Sequence, residues 1–113
     1  MITNYQVEAD LLQFLKKKCI ESDKEICGFI KRKNNTFSWF IESKNLHPDP
    51  ANFFLISPRE YIDNEESILF HSHPSHCKTK GFSEWDLENQ KYFALTMLLY
   101  SVNDDKFYYS YYD

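Results

Sequence analysis

Apolar positions recur with two different periods along this chain. In VEADLLQFLKKKCI, residues 7–20, Val7, Leu11, Phe14, Leu15 and Cys19 fall near one side at helical spacing with charges elsewhere, which predicts an amphipathic helix. The pattern then turns β-like. EICGFIKRKNNTFSWFIES holds two β-rich segments around Asn34-Asn35, a pair that tolerates the positive φ of a tight turn, and predicts a hairpin over residues 25–43 with Glu25 opening its first strand.

KNLHPDPAN, with its prolines and asparagines, reads as a loop, and FFLIS after it as a short apolar strand. Residues 58–65 suit a short helix with Ser57 as N-cap and Pro58 in the first helical position. ILFHSHP reads as a strand covered on both faces and stopped by Pro74. After a loop over residues 75–82, Ser83 with Asp86 three positions on has the form of a capping box, opening a helix to about Phe93. LTMLLYSVNDDKFYYSYYD predicts two strands around Asn103-Asp104-Asp105, with Phe107, Tyr108, Tyr109, Tyr111 and Tyr112 as sheet surface. This order of elements predicts one α/β domain over residues 1–113, with a central mixed sheet flanked by helices.

Composition narrows the function classes. A chain of 113 residues supports one core and buries about two-thirds of its unfolded surface, so it needs no cross-links. Cys19, Cys27 and Cys77 are an odd set without a CxxC pair, which argues against a disulfide framework. The net charge is −4, and the one basic cluster, Lys16 to Lys18, fits the wet side of a helix, so nucleic acid is not an expected ligand. No apolar run is long enough to span a bilayer, and MITNYQVEAD lacks the apolar core of a signal peptide; a soluble, membrane-free protein is expected. Internal repeats and low-complexity segments are absent.

The chemistry concentrates in HSHPSHCKTKGFSEWD, residues 71–86. His71 and His73, two apart on a strand, point to the same face, where two imidazoles can share one metal. Imidazole suits zinc, and a catalytic zinc has three protein ligands and an open position. Asp86, in the first turn of the following helix, is the strongest third candidate, and Ser83 one turn earlier could steady a developing negative charge. A hydrolytic site also needs a base that is not a ligand. Glu25 is a candidate, and Gly28 nearby marks a close approach by a backbone or a ligand.

Together, E-I-C-G at 25–28, H-S-H-P at 71–74 and S-E-W-D at 83–86 resemble the JAMM signature of the JAB/MPN metallopeptidases. The resemblance implies the MPN/JAB (cytidine-deaminase-like) fold and a zinc-dependent peptidase or isopeptidase. It implies Zn²⁺ on His71, His73 and Asp86, Glu25 as acid and base, and Ser83 stabilising the tetrahedral intermediate. NLHPDPANFFLISPREYID is similar to the bacteriophage tail assembly branch of that family. That likeness suggests a peptide or protein substrate, a phage tail protein, a cell-wall peptide or a ubiquitin-like protein, met in the cytoplasm of a bacterial or phage-infected cell or on a virion. Oligomeric state stays open.

Nine residues separate His73 from Ser83, two more than the family's usual spacing, and they bring His76 and Cys77 forward as alternative ligands or as a cap on the metal. His47 has no motif partner and reads as a surface side chain. His71, His73 and His76 also spell HxHxxH, but Ser75 stands where a metallo-β-lactamase needs Asp, and the chain is too short for that fold. A zinc deaminase would need H-x-E and PCxxC, which are missing. The rival from another class is a metal-free MPN-like scaffold; such relatives usually lack a site residue, whereas all five are present here.

Overall fold

The computed structural model describes residues 4–112; the first three residues of the N-terminal segment considered above lie outside them. Its elements in chain order are α1 (Ala9–Ile20), β1 (Cys27–Lys33), β2 (Thr36–Ser43), α2 (Pro58–Asp63), β3 (Ile68–His73), α3 (Glu84–Phe93), β4 (Met97–Ser101) and β5 (Lys106–Ser110). The five strands form one mixed sheet in the order β2-β1-β3-β4-β5. β3 pairs antiparallel with β1 and parallel with β4, with α3 in the crossover between them.

The β1–β2 hairpin turns at Asn34, whose φ of 58° is the left-handed conformation that asparagine tolerates. Gly28 is required by packing inside this hairpin: a Cβ there would run into the Ile41 carbonyl and the Phe40 ring. The close approach expected at that glycine therefore comes from β2, not from a ligand.

β3 is buried at every position and divides the core by residue parity. Ile68 and Phe70 belong to one cluster with Leu11, Leu15 and Cys19 of α1; Leu69 belongs to the other, with Phe54, Ile56 and Tyr61, and Phe93 packed against it. α1 and the α2/α3 layer thus cover opposite faces, and the histidines, sharing Leu69's parity, point to the α2/α3 side.

Four expectations need correction. Phe14 is exposed, and the face of α1 that meets the sheet is Leu11, Leu15 and Cys19. Val7 precedes the helix, in a parallel bridge to Phe37. FFLIS is not a strand of the sheet, although its side chains alternate as a strand's would, with Phe54 and Ile56 buried and Phe53 and Leu55 exposed. Its backbone is satisfied instead by the Asn45 loop, since Leu46 N–H donates to Leu55 O and Leu55 N–H to Asn45 Oδ1. Glu25 lies two residues ahead of β1 rather than within it, its N–H donating to Pro50 O.

Candidate metal centre

Glu25, His71, His73 and Asp86 converge beneath the α3 face of the sheet. Each offers an atom that could bind a metal, and these atoms all lie within 4.8 Å of one another. All four side chains are buried, from 0 % exposed at His71 to 3 % at Glu25. Buried titratable groups this close are costly unless something neutralises them.

β3 supplies the histidines, and its central place in the sheet fixes where they sit. Cys27 pairs with His71 in the β1–β3 register, so the start of β1 lies beside the first imidazole. The His71 ring is set by aromatic packing, stacked on Phe54 at 4.6 Å and flanked by Phe82 at 5.9 Å. Ser72, between the histidines, points the other way and staples the chain: Ile26 N–H donates to Ser72 Oγ and Ser72 N–H to Ile26 O, both at 2.9 Å. That pair holds the backbone carrying Glu25 against β3.

Asp86 arrives through a reciprocal cap. Ser83 Oγ accepts from Asp86 N–H at 3.1 Å, and Asp86 Oδ2 accepts from Ser83 N–H at 2.9 Å. The same Oδ2 lies 3.1 Å from Nε2 of both His71 and His73. Burial alone would raise the carboxyl's pKa, but attraction to His71, 3.1 Å away, and hydrogen bonds from His73 and the Ser83 N–H outweigh it, holding Asp86 ionised well below the usual carboxylate range. Glu25 is the opposite case. Burial first, then repulsion from Asp86, Cys77 and Asp49, pushes its carboxyl up to about 10, and its Oε1 finds no hydrogen-bond partner.

Unsatisfied polar atoms cluster here. Only the His73 contact with Asp86 is aligned as a hydrogen bond; Nε2 and Nδ1 of His71 and Nδ1 of His73 are buried without one. An orphaned buried group costs about 1–3 kcal/mol, and several around one carboxylate are what a cation would relieve. Tetrahedral zinc at bond lengths near 2.0–2.2 Å sets its ligand atoms about 3.3 Å apart. The 3.1 Å separations between Asp86 Oδ2 and both imidazole nitrogens fit that spacing.

Ser83 stands at the rim of this group, half-buried, with its hydroxyl engaged as the helix cap. His76 and Cys77 remain outside the four-residue cluster. His76 is exposed and its Nε2 meets Ala51 O at 2.8 Å, while Cys77 is half-buried. His47 is not a lone surface side chain: Nδ1 accepts from Asp49 N–H, and its ring packs on Phe53 and Trp85. A residue whose role sequence reasoning missed is Asn45. Its side-chain amide donates to Glu25 O, Pro50 O and Phe53 O, and its Oδ1 accepts from His47 and Leu55 N–H, tying the proline-rich loop to the backbone of Glu25. The available signal was an asparagine beside prolines, in a loop whose backbone groups need partners.

No family model and no curated protein matches the chain. Among solved structures it is similar to the solution structure of protein DSY2949 from Desulfitobacterium hafniense, determined as a structural-genomics target. The TM-score is 0.62 at 19% sequence identity, over 93% of this chain and 80% of that one. At such identity the likeness speaks for a shared fold alone. No helix among the described residues is long and apolar enough to cross a membrane.

Proposed function

We propose that this chain is a zinc-dependent hydrolase of amide bonds, a peptidase or isopeptidase of the JAB/MPN type with the MPN/JAB fold. One observation carries the reading: two imidazole nitrogens converge at 3.1 Å on one oxygen of Asp86, with the unpartnered Glu25 carboxyl within 4.8 Å of the group. The mixed sheet with helices on both faces supports the fold assignment.

In this reading His71, His73 and Asp86 hold the ion. Zinc in that place supplies a Lewis acid and lowers the pKa of a bound water toward about 7. Glu25 Oε1 takes the proton released as water attacks the amide carbonyl, and returns it to the leaving amine. A nearby cation favours the ionised form of Glu25, the form a base must have, against the burial and the repulsion that raise its pKa in the metal-free protein. Ser83 Oγ already accepts from Asp86 N–H and keeps its own hydrogen to donate to the oxyanion. Phe54 and Phe82 keep water from the His71 ring. The amide belongs to a peptide or protein, and a phage tail protein and a ubiquitin-like protein are the partners that the resemblance offers.

Zinc content and hydrolysis test this together. The wild-type protein should bind one zinc per chain and release amine from a quenched peptide library; Asp86→Ala should lose the metal, and Glu25→Gln should keep it while losing hydrolysis. Zinc near zero in protein purified without chelator would favour the scaffold reading. Full occupancy in Asp86→Ala would move the third ligand to His76 or Cys77, and an active Glu25→Gln would remove the proposed base.

A further inference from the structure

Beside the four-residue cluster runs a groove of about 890 Å³, with His73 and Ser83 in its lining. Its walls come from two loops, residues 44–57 and 74–83, joined where His76 Nε2 meets Ala51 O at 2.8 Å, and from the end of β3 and the first turn of α3. Phe53 and Trp85 line it with their rings 5.9 Å apart at 77°, and the His47 ring packs against both. Trp85 Nε1 donates to Phe54 O at 3.4 Å, which sets the orientation of the indole. The indole is nevertheless 40% exposed, and Phe53 38%. These aromatic side chains are organised by contacts among themselves without being buried.

Asp49 lines the same groove. Its carboxylate accepts from Asn52 Nδ2 at 3.2 and 3.0 Å, and its N–H donates to His47 Nδ1, so both ends of the residue are pinned. Among the described residues no lysine or arginine pairs with it, and its field reaches Glu25. Glu84, which opens α3 beside Trp85, adds a second negative charge to the lining, while Lys78 enters from the other loop. Aromatic faces next to a fixed carboxylate attract a cation twice over, through the ring quadrupole and through charge. An apolar group would gain nothing from the Asp49 charge, and an anionic one would be repelled by it.

We propose that this groove is the subsite for a cationic side chain, lysine or arginine, borne by the peptide next to the amide that is cut. The substrate class is then a polypeptide with a basic residue beside the scissile bond, held by Asp49 and the Phe53–Trp85 pair. This assignment rests on the hydrolase reading, but its binding half can be measured without catalysis.

Trp39 and Trp85 are the chain's two tryptophans, so in a Trp39→Phe background Trp85 is the sole indole reporter. Titrating that protein, without and with zinc, with Nα-acetyl-lysine amide should shift the indole emission. The uncharged Nα-acetyl-norleucine amide should bind about tenfold more weakly. Asp49→Asn should shrink that preference to about twofold, with the fold retained by circular dichroism. Quenched peptides carrying lysine or norleucine beside the cut bond form the second arm, and the zinc-loaded protein should cleave the lysine series about tenfold faster in kcat/KM. Equal binding of the two amides, or no response of Trp85 to either, would overturn the subsite. Cleavage without a lysine preference would overturn it too, while leaving the hydrolase reading intact. Lysine-selective binding with no peptide cut would do the reverse, sustaining the cation site and sinking the hydrolase.

Discussion

The two longest helices pack on opposite faces of one sheet and bury the same kind of stripe, with contrary chemistry. α1 turns Leu11, Leu15 and Cys19 inward at a spacing of four, and nothing else on it is buried. α3 turns Asp86 and Gln90 inward at the same spacing, while Trp85 and Leu87 stay exposed. Burying a carboxylate and a carboxamide costs what burying leucines gains unless every polar atom is answered. Gln90 is answered fully by the chain: Nε2 donates to Leu95 O and Ser110 O, and Oε1 accepts from Ser110 Oγ. Around Asp86 the accounting leaves three imidazole nitrogens and the Glu25 oxygen without a hydrogen bond. The α1 face is organised for stability, and the α3 face spends some of that stability on buried polar atoms that the chain itself leaves unanswered.

The largest way to break the comparison lies on the α1 face. Leu15 is fully buried, so Leu15→Ala removes contacts from the middle of that cluster. The expected loss is about 3 kcal/mol, a large share of a small domain's total. Urea denaturation would measure it, and zinc stoichiometry of the folded protein should not change, because no α1 side chain reaches the cluster. A Leu15→Ala protein of full stability that had lost its zinc would show that the two faces are not separate in function.

The same contrast explains what was legible beforehand. α1 was readable because its stripe is apolar, although Phe14, also on the period, faces solvent: Leu11, Phe14, Leu15 and Cys19 describe a wider stripe than the sheet covers. α3 has no such stripe. It was found through Ser83 and Asp86, whose cap can be read locally. β3 announced itself as a run apolar on both faces, which put the two histidines on a buried strand. FFLIS misled because alternating burial does not require a ladder; a loop asparagine can answer the backbone instead. The place of Glu25 was the least accessible reading. It depends on contacts with Ser72 and Asn45, the latter twenty residues away and the former more than forty, so no local pattern reveals it.

An effect smaller per pH unit tests the cost carried by the α3 face. In the metal-free protein the Glu25 carboxyl lies near 10, against an ordinary 4.5. The folded state then binds a proton that the unfolded state has released. Stability from this group is therefore complete below about 4.5 and is lost as pH rises toward about 10. Within that window the slope is at most about 1.4 kcal/mol per pH unit. With chelator present, Glu25→Gln should remove this downward slope, so that the difference in urea stability between variant and wild type grows from pH 5 to pH 9. Parallel pH profiles would mean that Glu25 ionises without cost, and the site would then not be a strained, metal-requiring pocket.

The smallest effect separates how the two helices begin. Glu8 occupies the N-cap of α1 without a side-chain bond, whereas Ser83 accepts from Asp86 N–H. Loss of a serine cap costs about 1 kcal/mol, while an exposed residue without such a bond stays within about 0.5 kcal/mol. Ser83→Ala in zinc-free protein should therefore lower urea stability by about 1 kcal/mol and Glu8→Ala by much less. In a helix held by apolar burial the cap is dispensable; in one whose inward face is polar, the cap is also what aims Asp86. Zinc affinity should accordingly fall in Ser83→Ala and hold in Glu8→Ala. Equal losses of stability in the two variants, with zinc affinity unmoved in both, would mean that α3 is positioned by something other than its first turn.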